Sequence, residues 1–193
     1  MPEIHLKPKI TLKKKQTCAF TYSGILKTIL YWETDTDLDL CLFFKKKDGN
    51  VGGIFSNEYR NNKSDLGTLE HFPFMQHLGD VKEPGENEKE SKEQINIAQL
   101  NEIDTAYLCV VNYGAATEGR DVNFATEGGR LEIKSDSDDH LEVDADSSDP
   151  GHVYLVATIK NENGTNSLTN ESKVMNLGTA FEQIPGFSLI CNS

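Results

Sequence analysis

No apolar run in this chain approaches the roughly 20 residues that a membrane-spanning helix needs. The longest, such as Ile29 to Trp32 and Ala106 to Val111, are strand-sized. No transmembrane segment is expected. Cations are scarce: 19 Lys plus Arg stand against 31 Asp plus Glu, a formal charge of −12. A net anion is repelled by phosphates, which excludes generic binding to nucleic acid. An anionic membrane surface could be met only through bridging cations. The four cysteines, Cys18, Cys41, Cys109 and Cys191, form no CxxC pair. Cys41 and Cys109 lie inside apolar runs and read as small core residues in a reducing compartment. The sequons at Asn62, Asn163 and Asn170 then read as chance matches. The basic stretch 1–15 lacks the apolar run of a secretory signal. The expected location is cytoplasmic.

Long helical periods, internal repeats and Pro- or Ser-rich linkers are also missing, so 1–193 reads as one domain. Apolar residues make up 37% of the chain, too many for a disordered acidic tail. The patterning is mostly period two. Ile25–Trp32 and Asp37–Phe44 read as strands, followed by a charged hairpin turn at Asp48-Gly49 and a return strand from Val51 to Tyr59. The Glu-rich stretch 82–93 has no apolar period and reads as solvated. Further strands are expected around Ile95–Ile97, Thr105–Val111, Leu131–Lys134, Leu141–Val143 and Val153–Ile159. Many short strands at intervals of about 8–12 residues predict an all-β fold, an antiparallel β-sandwich of two packed sheets with few short helices. Trp32, the single tryptophan, reads as a core anchor. In the final stretch, Phe181, Ile184, Phe187 and Ile190 are expected to cap an edge or end of the sandwich.

The charge is unevenly placed. Residues 1–47 carry nine Lys against five acids, a net of +4, leaving −16 for the remainder. Yet the sharpest chemical feature, Asp35-Thr36-Asp37-Leu38-Asp39, lies in that basic quarter. On a strand, Asp35, Asp37 and Asp39 would share one face at spacings of about 6.8 Å. At an effective dielectric near 20, each adjacent pair would repel by about 2.4 kcal/mol, or about 0.6 in open water. A half-buried face of that kind calls for a cation, and hard oxygen ligands suit Ca²⁺. The alternative is an exposed acidic strand face relieved by Lys45 to Lys47. A second acidic element, the loop from Asp80 to Glu93 with Glu86 and Asn87 within it, is dense in oxygen ligands. Beside the aspartates it would complete one or two sites, although Lys82, Lys89 and Lys92 offer neutralisation without metal.

In this order, Trp32-Glu33, Asp35-Thr36-Asp37-Leu38-Asp39, the Asp48-Gly49 hairpin and Ile54-Phe55-Ser56-Asn57 resemble the TerD domain of tellurium-resistance and general stress proteins. The likeness continues through His77-Leu78-Gly79-Asp80, Glu93-Gln94-Ile95-Asn96-Ile97, Tyr107–Val111, Leu141-Glu142-Val143-Asp144 and Val153–Ile159, covering about 22–160. The resemblance implies a cytoplasmic β-sandwich that binds Ca²⁺, acts in stress response and catalyses nothing. It also implies that Asp35, Asp37, Asp39, Asp80 and Glu93 occupy acidic ligand positions. The loop departs from the family pattern: Val81 replaces an Asn, most glycines are gone, and Glu and Lys replace an Asp pair. Glycines let a loop wrap tightly round a cation with its carbonyls inward, so their loss implies a weakened site.

Other motifs are set aside. The clusters at Asp136–Asp139 and Asp144–Asp146 lack EF-hand spacing. Gly114–Arg120 has the outer glycines of a phosphate loop but neither its Lys nor its hydroxyl, and no helix is expected after it. His71 and His77 have no third ligand for zinc. Two further functions stay open beside a cation-switched protein-interaction module. One is a small carboxylate-dependent glycoside hydrolase; the other is a metal-free interaction domain.

Overall fold

The computed structural model describes residues 9–56, 65–79, 86, 88–135 and 140–191. Its strands are β1 (Ile10–Thr11), β2 (Thr17–Phe20), β3 (Leu26–Trp32), β4 (Asp39–Lys46), β5 (Val51–Phe55), β6 (Gly67–Thr68), β7 (Met75–His77), β8 (Ser91–Ile97), β9 (Ile103–Val111), β10 (Gly129–Lys134), β11 (His140–Ala145), β12 (Val153–Glu162) and β13 (Thr165–Met175). Two short helices, α1 (Tyr113–Glu118) and α2 (Leu177–Gln183), complete the set with 3₁₀ turns at Phe124–Thr126 and Phe187–Cys191. One sheet runs β1-β11-β10-β3-β8-β7-β6, the other β2-β13-β12-β9-β4-β5. The β1–β11 contact is parallel. The expected all-β sandwich is the observed fold.

The two sheets pack because alternate residues of their strands are apolar on one face. Leu26, Leu30 and Trp32 of β3 meet Leu40, Leu42 and Phe44 of β4, joined by Ile95, Ile97, Leu131 and Ile133. Trp32 is fully buried, as an anchor should be. β4, however, is buried on both faces. Its other face, with Cys41 and Phe43, joins Cys109, Val153 and Leu155 in a second cluster under Tyr113, Ile184, Phe187 and Ile190. The C-terminal segment therefore covers the outer face of the second sheet rather than an end or edge. Phe181 remains partly exposed and packs edge-on to Phe187 at 5.5 Å. Gly186 permits this close approach: its φ is +86°, and a Cβ there would lie 2.5 Å from the Gly52 carbonyl oxygen of β5.

Three expectations change. β5 ends at Phe55, and 57–64 lie outside the described residues. A helix, α1, does form across 113–118. Asn112 caps it by accepting from the Ala115 N–H at 2.8 Å, and Gly119 closes it at φ +65°. β13 is an 11-residue strand where only a polar stretch was legible. Asn163 and Gly164, both at positive φ, turn the chain back along β12, and pairing with β12 and β2 supplies the order.

Candidate functional site

β3 ends where β8 begins, since Trp32 pairs with Ser91. β4 begins opposite the end of β9, with Asp39 beside Val111. The bend at 33–38 and the segment entering β8 thus emerge from one end of the sandwich. That bend is pinned from below. Trp32 Nε1–H donates to the Thr36 carbonyl at 2.8 Å, and Glu33 N–H donates to the Glu127 carbonyl at 3.0 Å. The Thr34 hydroxyl also donates to the Glu127 carboxylate.

The aspartate triplet is not a strand face. Asp35 and Asp37 are exposed on the bend, and only Asp39 belongs to β4. The strand alternation that would have aligned all three carboxylates does not reach the first two. Asp39 is 4% exposed and lies on the face shared with Cys41. Glu93 is 1% exposed and points between the sheets, on the same face of β8 as Ile95 and Ile97. The stretch 82–93 is therefore not solvated throughout, because its last residues belong to a buried strand. Glu86 is exposed. Asp80 and Asn87, two further expected ligands, lie outside the described residues, as do 136–139.

Glu93 does specific work on β4. The β4–β5 register stops at Cys41 with Phe55, so nothing from β5 reaches Leu40. Leu40 N–H instead donates to Glu93 Oε2 at 2.8 Å, and the Leu40 carbonyl lies 3.0 Å from His77 Nε2. Gly79 N–H donates to His77 Nδ1 at 3.0 Å. The ring therefore carries its proton on Nε2, donates to Leu40 and accepts from Gly79. Glu93 Oε2 lies 3.5 Å from that same Nε2. Two side chains of the first sheet thus replace the missing neighbour of β4 and stitch the sheets together. His77 was set aside as a zinc ligand. Its inward placement was legible from period two, since it lies two residues beyond buried Met75 on a short strand.

Four buried side-chain polar atoms among the described residues lack a hydrogen-bond partner, and one of them lies at this end of the sandwich. Ser91 Oγ, on a residue 1% exposed, has no hydrogen-bond partner. Ser91 shares the inward face of β8 with Glu93. On the outer face of β4, Cys41 Sγ lies 3.4 Å from the Tyr113 hydroxyl. Burial pushes both groups well above their ordinary pKa values, and the negative charges of Asp39 and Glu93 add to the effect on each. The two carboxylates, on strands of different sheets, thus both add to the negative field at this thiol–hydroxyl pair.

The outer face of the first sheet is a lattice of charge. Glu132 and Glu142 are register partners, and Lys9 Nζ reaches them at 3.8 and 2.7 Å. Arg130 lies over the Tyr31 ring at 4.4 Å and forks onto Glu90. A hollow of about 590 Å³ opens beside it, with Tyr31, Glu33, Glu88 and Lys92 among its lining. Arg130 already engages both Tyr31 and Glu90 of this lining. At Glu132, desolvation raises the carboxyl, but Lys134, His140 and Arg130 outweigh it and hold the group below its ordinary range. Its stabilising contribution is therefore present above the carboxylate's unfolded pKa and lost as pH falls through the lower folded value. Urea unfolding from pH 7 downward should show a shallower acid loss in Glu132→Gln than in the parent chain.

Among the described residues, no group of three or more His, Cys, Asp or Glu side chains is placed to hold a metal ion. Asp39, Glu93 and Ser91 are buried oxygen-bearing residues at the end of the sandwich where the bend carries the exposed Asp35 and Asp37. Among the described residues no helix is long and apolar enough to cross a membrane. No protein-family model matches the chain, and no curated protein matches it. Among solved structures it is similar to a crystal structure described as that of the unknown function protein SAV2460. The TM-score is 0.52 at 12% identity, covering 81% of this chain and 94% of that one. At that identity the likeness concerns the fold alone.

Proposed function

We propose that this chain is a non-enzymatic Ca²⁺-binding module of the stress-response type that its motifs resemble. The cation would sit at the end of the sandwich where β3 hands over to β4 and β8 begins. One observation carries the reading. Two nearly fully buried carboxylates, Asp39 at the start of β4 and Glu93 near the start of β8, lie on strands of different sheets at this end of the sandwich, and a buried Ser91 hydroxyl without a partner sits on Glu93's face. Buried carboxylates are costly unless paired or bound to cations. An all-oxygen donor set with irregular spacing suits Ca²⁺ better than a softer metal.

Asp39 and Glu93 are the inner ligands in this reading, and Asp35 and Asp37 the outer ones. Asp80, Glu86 and Asn87 are the contributions expected from the loop. Occupancy would order that loop and reduce the local negative charge, turning a repulsive surface into one that a protein partner can meet.

The test is calorimetric titration of chelator-treated protein with Ca²⁺, alongside thermal unfolding. Saturable heat is expected, and at about 100 times Kd a stabilisation of about 2.7 kcal/mol. For a chain of this size that is roughly 5–10 °C in Tm. Asp39→Asn should weaken binding at least tenfold. No heat and no thermal shift in the parent chain would sink the proposal.

A further inference from the structure

Cys41 and Cys109 face each other across the two central strands of the second sheet. They are register partners of β4 and β9, and both are completely buried with free thiols. The kind of pairing follows from the neighbouring strand. Phe55, opposite Cys41 on the other side, sends both its N–H and its carbonyl to Asp65. Cys41 and Phe55 are therefore the non-hydrogen-bonded kind of pair, and Cys41 turns its own N–H and carbonyl toward Cys109. Hydrogen-bonded antiparallel partners have Cα atoms about 5.5 Å apart. Disulfides span about 4.4–6.8 Å between Cα atoms and about 3.5–4.5 Å between Cβ atoms, and cross-strand Cβ atoms lie about 4.5–5.5 Å apart, so closing the bond draws β4 and β9 together. Both side chains project to the same outer face, since both belong to the cluster beneath the C-terminal segment.

We infer that Cys41 and Cys109 are a latent cross-strand dithiol, a modification site that small disulfide oxidants convert to a disulfide when the C-terminal cap lifts. The cap is the gate. Phe187 packs on Phe43 at 5.1 Å, the neighbour of Cys41 two residues along the same face, and Tyr113 covers Cys41 itself. Under the closed cap the thiols are inert, because burial disfavours the thiolate that must attack. With the cap raised, one cysteine thiolate attacks an oxidant such as glutathione disulfide, forming a mixed disulfide and releasing one glutathione thiol. The second cysteine then attacks the protein sulfur of that mixed disulfide and expels the other glutathione thiol. Two electrons and two protons pass from the dithiol to the oxidant. The product ties β4 to β9 and removes the thiol proton from the 3.4 Å contact with Tyr113, the first residue of α1. The inference does not depend on cation binding.

The test uses the full chain carrying Cys18→Ser and Cys191→Ser, incubated folded with glutathione disulfide and mapped by mass spectrometry without reduction. A peptide pair joined through Cys41 and Cys109, lighter by two hydrogens, is the expected product. It should form at least tenfold faster when Phe187→Ala thins the cap. Ile190→Ala, a smaller deletion in the same cap, should accelerate it in the same direction if the Phe187 variant does not fold. Glutathione retained on a single cysteine with no linked product would overturn the inference. So would linkage at a rate unchanged by a folded cap variant, or no linkage in such a variant.

Discussion

Replacing Glu93 by alanine should lower the unfolding free energy by about 3–5 kcal/mol, the range for removing one partner of a buried charged contact. The loss has named parts. Leu40 N–H gives up a 2.8 Å charge-assisted bond in a place where β5 no longer runs and water does not reach. His77 loses the carboxylate 3.5 Å from its Nε2 while still holding the Leu40 carbonyl. At roughly 2–4 °C per kcal/mol, the Tm should fall by about 6–20 °C. Glu93→Gln separates two roles of the residue. Its amide oxygen can still accept from Leu40, so much of the stability should remain, whereas a cation would lose a formal charge from its inner donor set. Thermal unfolding with and without Ca²⁺ checks both. A Gln variant that keeps its stability but loses its calcium response fits the proposed site; one that keeps both would leave Glu93 a structural clamp alone.

Trp32→Ala should cost a comparable 3–5 kcal/mol, the usual range for deleting a large aromatic side chain from a packed core. Trp32 is fully buried between the sheets, so its removal leaves a cavity that Leu30, Leu38 and Leu40 cannot fill without shifting. The informative variant is Trp32→Phe. It keeps much of the apolar bulk but deletes the indole N–H that holds the Thr36 carbonyl at 2.8 Å. A net hydrogen bond contributes about 0.5–1.5 kcal/mol, so the global effect is smaller than that of alanine. The local effect falls on the bend that carries Asp35 and Asp37. Hydrogen exchange should show faster opening at 33–38 in the Phe variant than elsewhere in β3 and β4. Uniform exchange across those strands would mean that the indole bond does not restrain the bend.

The likeness of these two sites is that a core residue sets the position of surface chemistry. Trp32 was legible as an anchor from its strand pattern, but its grip on Thr36 was not, because that bond joins a side chain to a loop carbonyl of no fixed pattern. The aspartate triplet shows the limit from the other side. Alternation is a true rule for strands, yet β4 begins at Asp39, and residues before it obey the tie to Trp32 and Glu127 instead. The same limit hid α1, whose six residues rest on a cap at either end rather than on an apolar period.

By itself the sequence determined the class of fold, the strands with period-two apolar faces, the buried Cys41 and Cys109, and the acidic residues worth following. These follow from local rules, since side-chain alternation, turn chemistry and charge count depend only on neighbours along the chain. Tertiary structure alone decided the rest. It placed the C-terminal segment over a sheet face, built β13 from polar residues by pairing it on both sides, and turned His77 and Glu93 into a clamp on Leu40. It also set Cys41 opposite Cys109, 68 positions later in the chain by their numbers. Each of these is a contact between segments far apart in sequence. Such contacts depend on strand order and register, which local preferences constrain but do not specify.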